Sequence, residues 1–317
     1  PESHMPHATH ATSRTTSHEL SVITPYRLDL TVSALRRLPT NLVDVYTADG
    51  RYLRALGGAS GPVVVSVNQP RADALAVTLT GHAADTAPVL ACVRRMLGTE
   101  RDVSDFHRHA RQMPWLASLA RRMRGLKPPR YPALFEACAN AIVFQQVSLH
   151  AASAIMRRLI LALGTRIEHD GVPLRVFPAA EKFLSADAAM LRAAGLSASK
   201  LATLRRAGEA IADGALSESM LEQRSSADAA LLLRSIKGIG PWTAAVILLR
   251  GLGRLDTFPG NDSGVAANLA LIAGEPAEAG PIAEALGPQR GMLYFNLLLA
   301  RLEARGEIGR ASDMTGG

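Results

Sequence analysis

The segment Ile236-Lys237-Gly238-Ile239-Gly240-Pro241-Trp242-Thr243-Ala244 restricts what this 317-residue chain can fold into more than any other stretch. Ahead of it, residues 228–236 place apolar side chains at helical spacing. Behind it, Pro241 fits the first position of a new helix, where its missing N–H removes no bond. Between them, Gly238 and Gly240 let the backbone turn sharply and approach a ligand closely. The pattern predicts two helices joined by a tight Gly-x-Gly hairpin within residues 228–250. A hairpin that ends at a helix N-terminus aims free N–H groups and the positive end of the helix dipole at one spot, which suits a phosphate.

The run Phe258-Pro259-Gly260-Asn261-Asp262 follows, a Pro-Gly loop that delivers one carboxylate. A phosphate clamp followed by a single acid points to chemistry on nucleic acid. Read locally, Asn261-Asp262-Ser263-Gly264 is instead a turn that caps a helix over residues 265–272.

The first hundred residues have a different texture. Tyr26 to Val32 alternates with period 2, and Val43 to Leu56 carries Asp49-Gly50 at its middle, a hairpin signal. Pro62 to Val67 and Ala74 to Thr80 read as two more strands, with a helix over 88–97 covering one face. Residues 1–22 are rich in Ser, Thr, His and Pro and are expected to be a disordered tail. His4, His7, His10 and His18 then read as solvated side chains rather than a metal site. After residue 100 the periodicity is helical. The expected organisation is α+β: a tail over 1–22, a small α+β domain with an antiparallel sheet and a helix over 23–112, and an all-helical core over 113–317.

Composition narrows the partners. A net charge of +7 favours polyanions. The densest positive run, Ala120 to Arg130, reads either as a contact to a phosphate backbone or as a charged linker. Only Cys92 and Cys138 are present, so free thiols in a reducing compartment are expected, and a four-cysteine iron–sulfur cluster or zinc module is excluded. No His/Asp/Glu cluster has metal-ligand spacing. There is no run of 18 apolar residues and no secretion-signal pattern at the N-terminus; the expectation is a cytoplasmic protein, at the nucleoid in a bacterium, without membrane contact.

Four ordered elements together resemble the helix-hairpin-helix DNA glycosylases, specifically the DNA-3-methyladenine glycosylase II type. They are Ala141-Ile142-Val143-Phe144-Gln145-Gln146-Val147-Ser148, then Phe177 to Glu181 leading into Leu191 to Lys200, then the hairpin, then Phe258 to Asp262. They cover roughly residues 110–300, and the strand-rich segment ahead of them resembles the small α+β domain in front of that core.

The resemblance implies a monomeric enzyme that flips a damaged purine out of duplex DNA and hydrolyses its N-glycosidic bond. Asp262 matches the catalytic aspartate, a carboxylate able to stabilise oxocarbenium character on the sugar. Lys237, Gly238, Ile239, Gly240 and Thr243 match the DNA-binding hairpin, and Gln145 a structural residue or a contact to the opposite strand. Gln146 matches a wedge that fills the vacated stack, and also reads as an ordinary helix-terminal hydrogen-bonding residue. Trp242 stands where the lyases of the superfamily carry their Schiff-base lysine, and no lysine follows Lys237, so base release without strand cleavage is implied. Trp242 lines the base pocket or packs in the core; a pocket tryptophan favours cationic alkylpurines of the 3-methyladenine and 7-methylguanine class by cation–π stacking. Aromatic residues make up 4% of the chain. Val246 and Leu298 stand where relatives carry aromatics, and Phe144, Tyr294 and Phe295 are candidate replacements, each of which reads also as core. No cofactor is implied beyond a monovalent cation on the hairpin carbonyls. Other readings are excision of deaminated or oxidised bases on the same scaffold, and a damaged-DNA-binding protein without catalysis.

Overall fold

The computed structural model describes residues 14–260, 269–270, 272–273 and 278–309. Asp262 and Asn261 lie outside the described residues. The N-terminal sheet is five-stranded and antiparallel, in the order β1-β5-β4-β3-β2, built from β1 (Arg14–Ser21), β2 (Val45–Tyr46), β3 (Tyr52–Gly58), β4 (Gly61–Arg71) and β5 (Ala74–Gly81). Asp49-Gly50 turns β2 into β3, with Gly50 at φ +82°. The helix α2 (Thr86–Leu97) buries Val89, Val93, Met96 and Leu97 in the core that it shares with the sheet.

Two expectations are corrected here. Residues 14–21, read as tail, form β1 along the free edge of β5, with Leu20 opposite Leu75. Only Leu20 of this strand is buried, so its formation rests on the open backbone groups of the β5 edge rather than on its own apolar pattern. The Tyr26–Val32 segment, read as a strand, enters the helix α1 (Leu28–Arg36). Leu28, Val32 and Leu35 pack with the sheet, whereas Leu30, Ala34 and Leu38 pack with the C-terminal helices. Leu28, Leu30 and Val32 alternate with Asp29 and Thr31, so the first turns of this helix imitate the period of two of a strand.

The remaining chain is mostly helical: α3 (Ser104–Ala110), α4 (Pro114–Arg122), α5 (Leu134–Val143), α6 (Leu149–Leu163), α7 (Ala180–Leu184), α8 (Ala188–Ala193), α9 (Ala198–Ala212), α10 (Glu218–Glu222), α11 (Ser226–Arg234), α12 (Pro241–Gly251), α13 (Ala279–Ala285) and α14 (Met292–Ala304). Every residue of α5 is buried, and α12 and α9 pack against it. A short hairpin, β6 (Arg166–His169) and β7 (Val172–Arg175), interrupts the helices, and its Leu174 packs on Leu53, Ala55 and Val64 of the sheet. The expected division at residue 112 falls between α3 and α4, whose Phe106 and Leu116 share one cluster. Sheet residues such as Val65 share another with Phe135 and Ile142 of α5. Both cysteines are free thiols, and burial pushes Cys138 up to about 12.

A buried charge network ties the sheet to α5. The Arg54 guanidinium on β3 donates to Asp44 at 2.6 Å and to Glu136 at 2.5 Å, and the Tyr52 hydroxyl donates to Asp44 at 2.7 Å. Burial disfavours the Arg54 charge, but the two acids outweigh it and raise its pKa well above the ordinary value. Arg54→Met would strand both carboxylates in the core. It is expected to cost about 3–5 kcal/mol in urea denaturation; a loss under about 1 kcal/mol would show that the acids are neutralised without cost.

Candidate nucleic-acid interface and base pocket

The hairpin is built by three neighbours. Gly238 sits at φ +103°, and a Cβ there would lie 1.9 Å from Thr203 Oγ1 on α9. Ile239 N–H donates to the Ile236 carbonyl at 3.0 Å, closing the turn, and the Ile239 side chain is buried in the main cluster. Arg206 Nη1 donates to the Lys237 carbonyl at 3.1 Å. From the end of α5, Gln145 Nε2 donates to the Gly238 carbonyl at 3.2 Å and to Thr243 Oγ1 at 2.5 Å.

Ile239 and Thr243, expected at the DNA, therefore have buried side chains spent on the protein itself, which leaves only their backbone for a contact. Gln145 acts as the strut between α5 and the hairpin. Lys237 is exposed beside it. The carbonyls of Ile236, Lys237 and Gly238 each accept a hydrogen bond within the protein, the Lys237 carbonyl from a guanidinium.

At α12 the helix start is left open. Ser148, Asp187, Ser197, Ser217 and Ser225 cap α6, α8, α9, α10 and α11 with side-chain oxygens, whereas Gly240 offers α12 none. A Cβ on Gly240 would meet nothing within 4 Å, so the approach to this N-terminus is clear. First-turn amides lack intrahelical acceptors and, with the helix dipole, favour an anion.

The link from α5 to α6 passes beside the hairpin. Lys200 Nζ donates to the Val143 carbonyl at 2.8 Å, closing the end of α5 and engaging that amine. Gln146 is exposed at φ +52°, a conformation that strains a residue with a side chain, and Val147 beside it is 39% exposed. Both are exposed beside Gln145, which braces the hairpin.

Of the residues expected around the base, Trp242 is half-buried against the main cluster. Phe144, which closes α5, and Tyr294 on α14 are also half-buried, and a residue not expected from sequence links them. Arg37, at the end of α1, places its guanidinium carbon 3.8 Å from the centre of the Phe144 ring, and its charge acts on the Tyr294 phenol. The charge of Arg250 on α12 acts on the same phenol. Burial alone would raise the Tyr294 pKa; the two guanidiniums outweigh it and hold the phenol below its ordinary value. No local pattern marks Arg37, because its partners lie far along the chain.

The loop that precedes Asp262 is pinned to the start of α14. Gly291 N–H donates to the Leu255 carbonyl at 2.7 Å, and a Cβ on Gly291 would meet the carbonyls of Thr257 and Leu255 at 2.9 and 3.0 Å. Phe258 packs in the C-terminal cluster.

Residues 139–282 match the family model described as HhH-GPD superfamily base excision DNA repair protein. A DNA-3-methyladenine glycosylase of Bacillus subtilis (strain 168) is 30% identical over 173 residues, 55% of this chain and 57% of that protein. The chain spans about half the length of the first curated relatives it matches, 57% and 43%. The solved structure of a 3-methyladenine DNA-glycosylase from Archaeoglobus fulgidus superposes with a TM-score of 0.73 at 26% identity, covering 89% of this chain and 97% of that one. An 8-oxoguanine glycosylase/lyase from Clostridium acetobutylicum shares the fold, with a TM-score of 0.69 at 15% identity over 90% and 96% of the two chains.

Proposed function

We propose, from the match of residues 139–282 to the HhH-GPD superfamily of base excision DNA repair proteins, that this chain is a monofunctional DNA glycosylase for alkylated purines of the 3-methyladenine and 7-methylguanine class. The observation that carries the reading is the uncapped α12 N-terminus with a clear approach at Gly240, braced by Gln145 next to the outward Gln146. The hairpin amides hold a phosphate of the damaged strand, Lys237 adds charge, and Gln146 fills the space of the extruded base. Such contacts position the protein without reading sequence, so binding is salt-sensitive and largely non-specific.

Asp262 supplies the carboxylate beside the sugar, where positive charge develops as the C1′–N bond breaks; water then takes the anomeric carbon and the base leaves with the bond's electrons. A purine alkylated at N3 or N7 already carries positive charge and departs without a general acid. Trp242 stands where a lyase would present its amine, and the neighbouring Lys200 spends its Nζ on the Val143 carbonyl. Both support hydrolysis without strand cutting.

The test is single-turnover base release from duplexes carrying 7-methylguanine, 3-methyladenine, hypoxanthine or 8-oxoguanine, each read with and without alkali. Strand breaks at methylated purines that appear only after alkali are the expected result. Nicking without alkali would overturn the monofunctional assignment. Release confined to hypoxanthine or 8-oxoguanine would move the substrate to deaminated or oxidised bases, and intact binding with no release would leave a damage-binding protein.

A further inference from the structure

Lys200 sits badly for its own helix. It is the third residue of α9, within the first turn, where the helix dipole is positive and a cationic side chain is disfavoured. Its backbone N–H is used locally, donating to Ser197 Oγ of the N-cap at 3.3 Å. The side-chain amine reaches instead to another helix, donating to the Val143 carbonyl at 2.8 Å. Val143 is the last residue of α5, where terminal carbonyls lack amide partners and the dipole is negative. The ammonium therefore answers both the terminal oxygen and the field of α5. Burial lowers the Lys200 pKa from its ordinary value, so the contact is made against desolvation.

Two side chains on the next turns of α9 touch the hairpin. Thr203 and Arg206 follow Lys200 at three-residue intervals, the spacing that makes successive side chains neighbours on a helix surface. Thr203 packs so closely on Gly238 that a Cβ there would lie 1.9 Å from its Oγ1, and Arg206 Nη1 donates to the Lys237 carbonyl at 3.1 Å. One helix thus grips the end of α5 at one point and the hairpin at the next. Gln145 closes the circuit from α5 to the Gly238 carbonyl at 3.2 Å. Gln146 follows directly, at φ +52°, and just beyond it Ser148 Oγ caps α6 by accepting from Ala151 N–H at 3.2 Å. The strained residue is held between two fixed helix ends, and such a backbone persists only where its surroundings over-determine it.

We propose that Lys200 is a positioning residue for base extrusion: its ammonium on the Val143 carbonyl fixes Gln146 relative to the hairpin, so that wedge and phosphate site meet one duplex together. The proposal rests on the glycosylase reading above, with Gln146 as the wedge and the α12 N-terminus as the phosphate site. Lys200 touches neither base nor sugar in this role and acts through Gln146. Without the clamp, Gln146 loses its set position, while the hairpin keeps its own braces at Thr203 and Arg206. Loss of the amine should therefore slow extrusion of a paired base and leave duplex binding nearly intact. A base that no partner holds in the stack costs less to extrude, and its release should barely depend on Lys200.

The experiment is single-turnover release of 7-methylguanine at saturating protein from two duplexes, one with the lesion paired to cytosine and one with it in a single-base bulge. The wild type is compared with Lys200→Met, which keeps the stem and removes the amine, and with Lys200→Arg, which keeps a cationic donor. Lys200→Met is expected to slow release from the paired site about 10- to 100-fold and from the bulge less than about threefold, with duplex affinity within about threefold of the wild type. Lys200→Arg should recover most of the paired rate. Equal loss in both contexts would make Lys200 a general support of the fold, and no loss in either would detach it from Gln146; both overturn the proposal. In a Gln146→Ala background, Lys200→Met should cost less than about threefold on the paired site, because the two residues act in series. A full additive loss there counts against the assignment. If Lys200→Met is too unstable to assay, Lys200→Gln, a neutral donor on a shorter stem, is read by the same ratio of paired to bulged rates. No release by the wild type in either context would sink the alkylpurine reading and this proposal with it, whereas release indifferent to Lys200 sinks the proposal alone.

Discussion

Asp262→Asn is expected to reduce base release by roughly 100-fold or more while duplex affinity changes less than about threefold. The substitution keeps size and removes one negative charge, so it isolates electrostatic stabilisation from packing. An oxocarbenium-like sugar presents its charge only near the transition state, and a fixed carboxylate therefore acts on the rate far more than on binding. Fluorescence anisotropy with a lesion duplex and single-turnover release from the same duplex are the paired measurements. Loss of both together would mean that Asp262 mainly holds its loop, as the local reading of Asn261-Asp262-Ser263-Gly264 as a helix cap has it.

Gly238→Ala should lower duplex affinity at least tenfold and destabilise the protein by roughly 3 kcal/mol. The backbone at φ +103° suits glycine, and the new methyl would sit 1.9 Å from Thr203 Oγ1. Thr203 cannot swing aside freely: it is 4% exposed and its hydroxyl donates to the Ser199 carbonyl at 2.9 Å. The hairpin must therefore move away from α9, taking the Gly238 carbonyl from Gln145 and the α12 N-terminus from its place. Thr203→Ala in the same chain should recover part of the stability, because it removes the clash but not the backbone strain. Gly240→Ala is the matching control. Gly240 has φ −88° and open space around its Cβ direction, so stability should hold while the methyl obstructs an approaching phosphate. Unchanged affinity in Gly240→Ala would place the phosphate elsewhere.

The parts legible in sequence are those whose physics is local. Gly238, Gly240 and Pro241 dictate a turn and a helix start through backbone freedom and a missing N–H, and both appear where the spacing puts them. Asp49-Gly50 dictates the β2–β3 hairpin in the same manner. The parts that were not legible depend on what packs against them. The Arg14–Ser21 strand is polar and forms because β5 has an open edge; the Arg166–His169 strand is also mostly polar, and the hairpin it forms is held by Leu174 of its partner on the sheet. The α1 helix imitates a strand in its first turns, where Leu28, Leu30 and Val32 alternate with Asp29 and Thr31, and only packing against two clusters shows it to be a helix.

The site divides along the same line. Residue order alone marks the hairpin proposed to bind phosphate, the Gln145-Gln146 pair and the Asp262 loop, because each is a short segment whose backbone chemistry is written in consecutive residues. Only the tertiary structure decides that Gln145 braces the hairpin rather than facing outward, that Ile239 and Thr243 turn inward, and that the Arg37 guanidinium lies over the Phe144 ring. Those outcomes depend on helices distant in sequence meeting at one place, where burial removes the water that would otherwise satisfy each polar group and leaves the neighbours to do so.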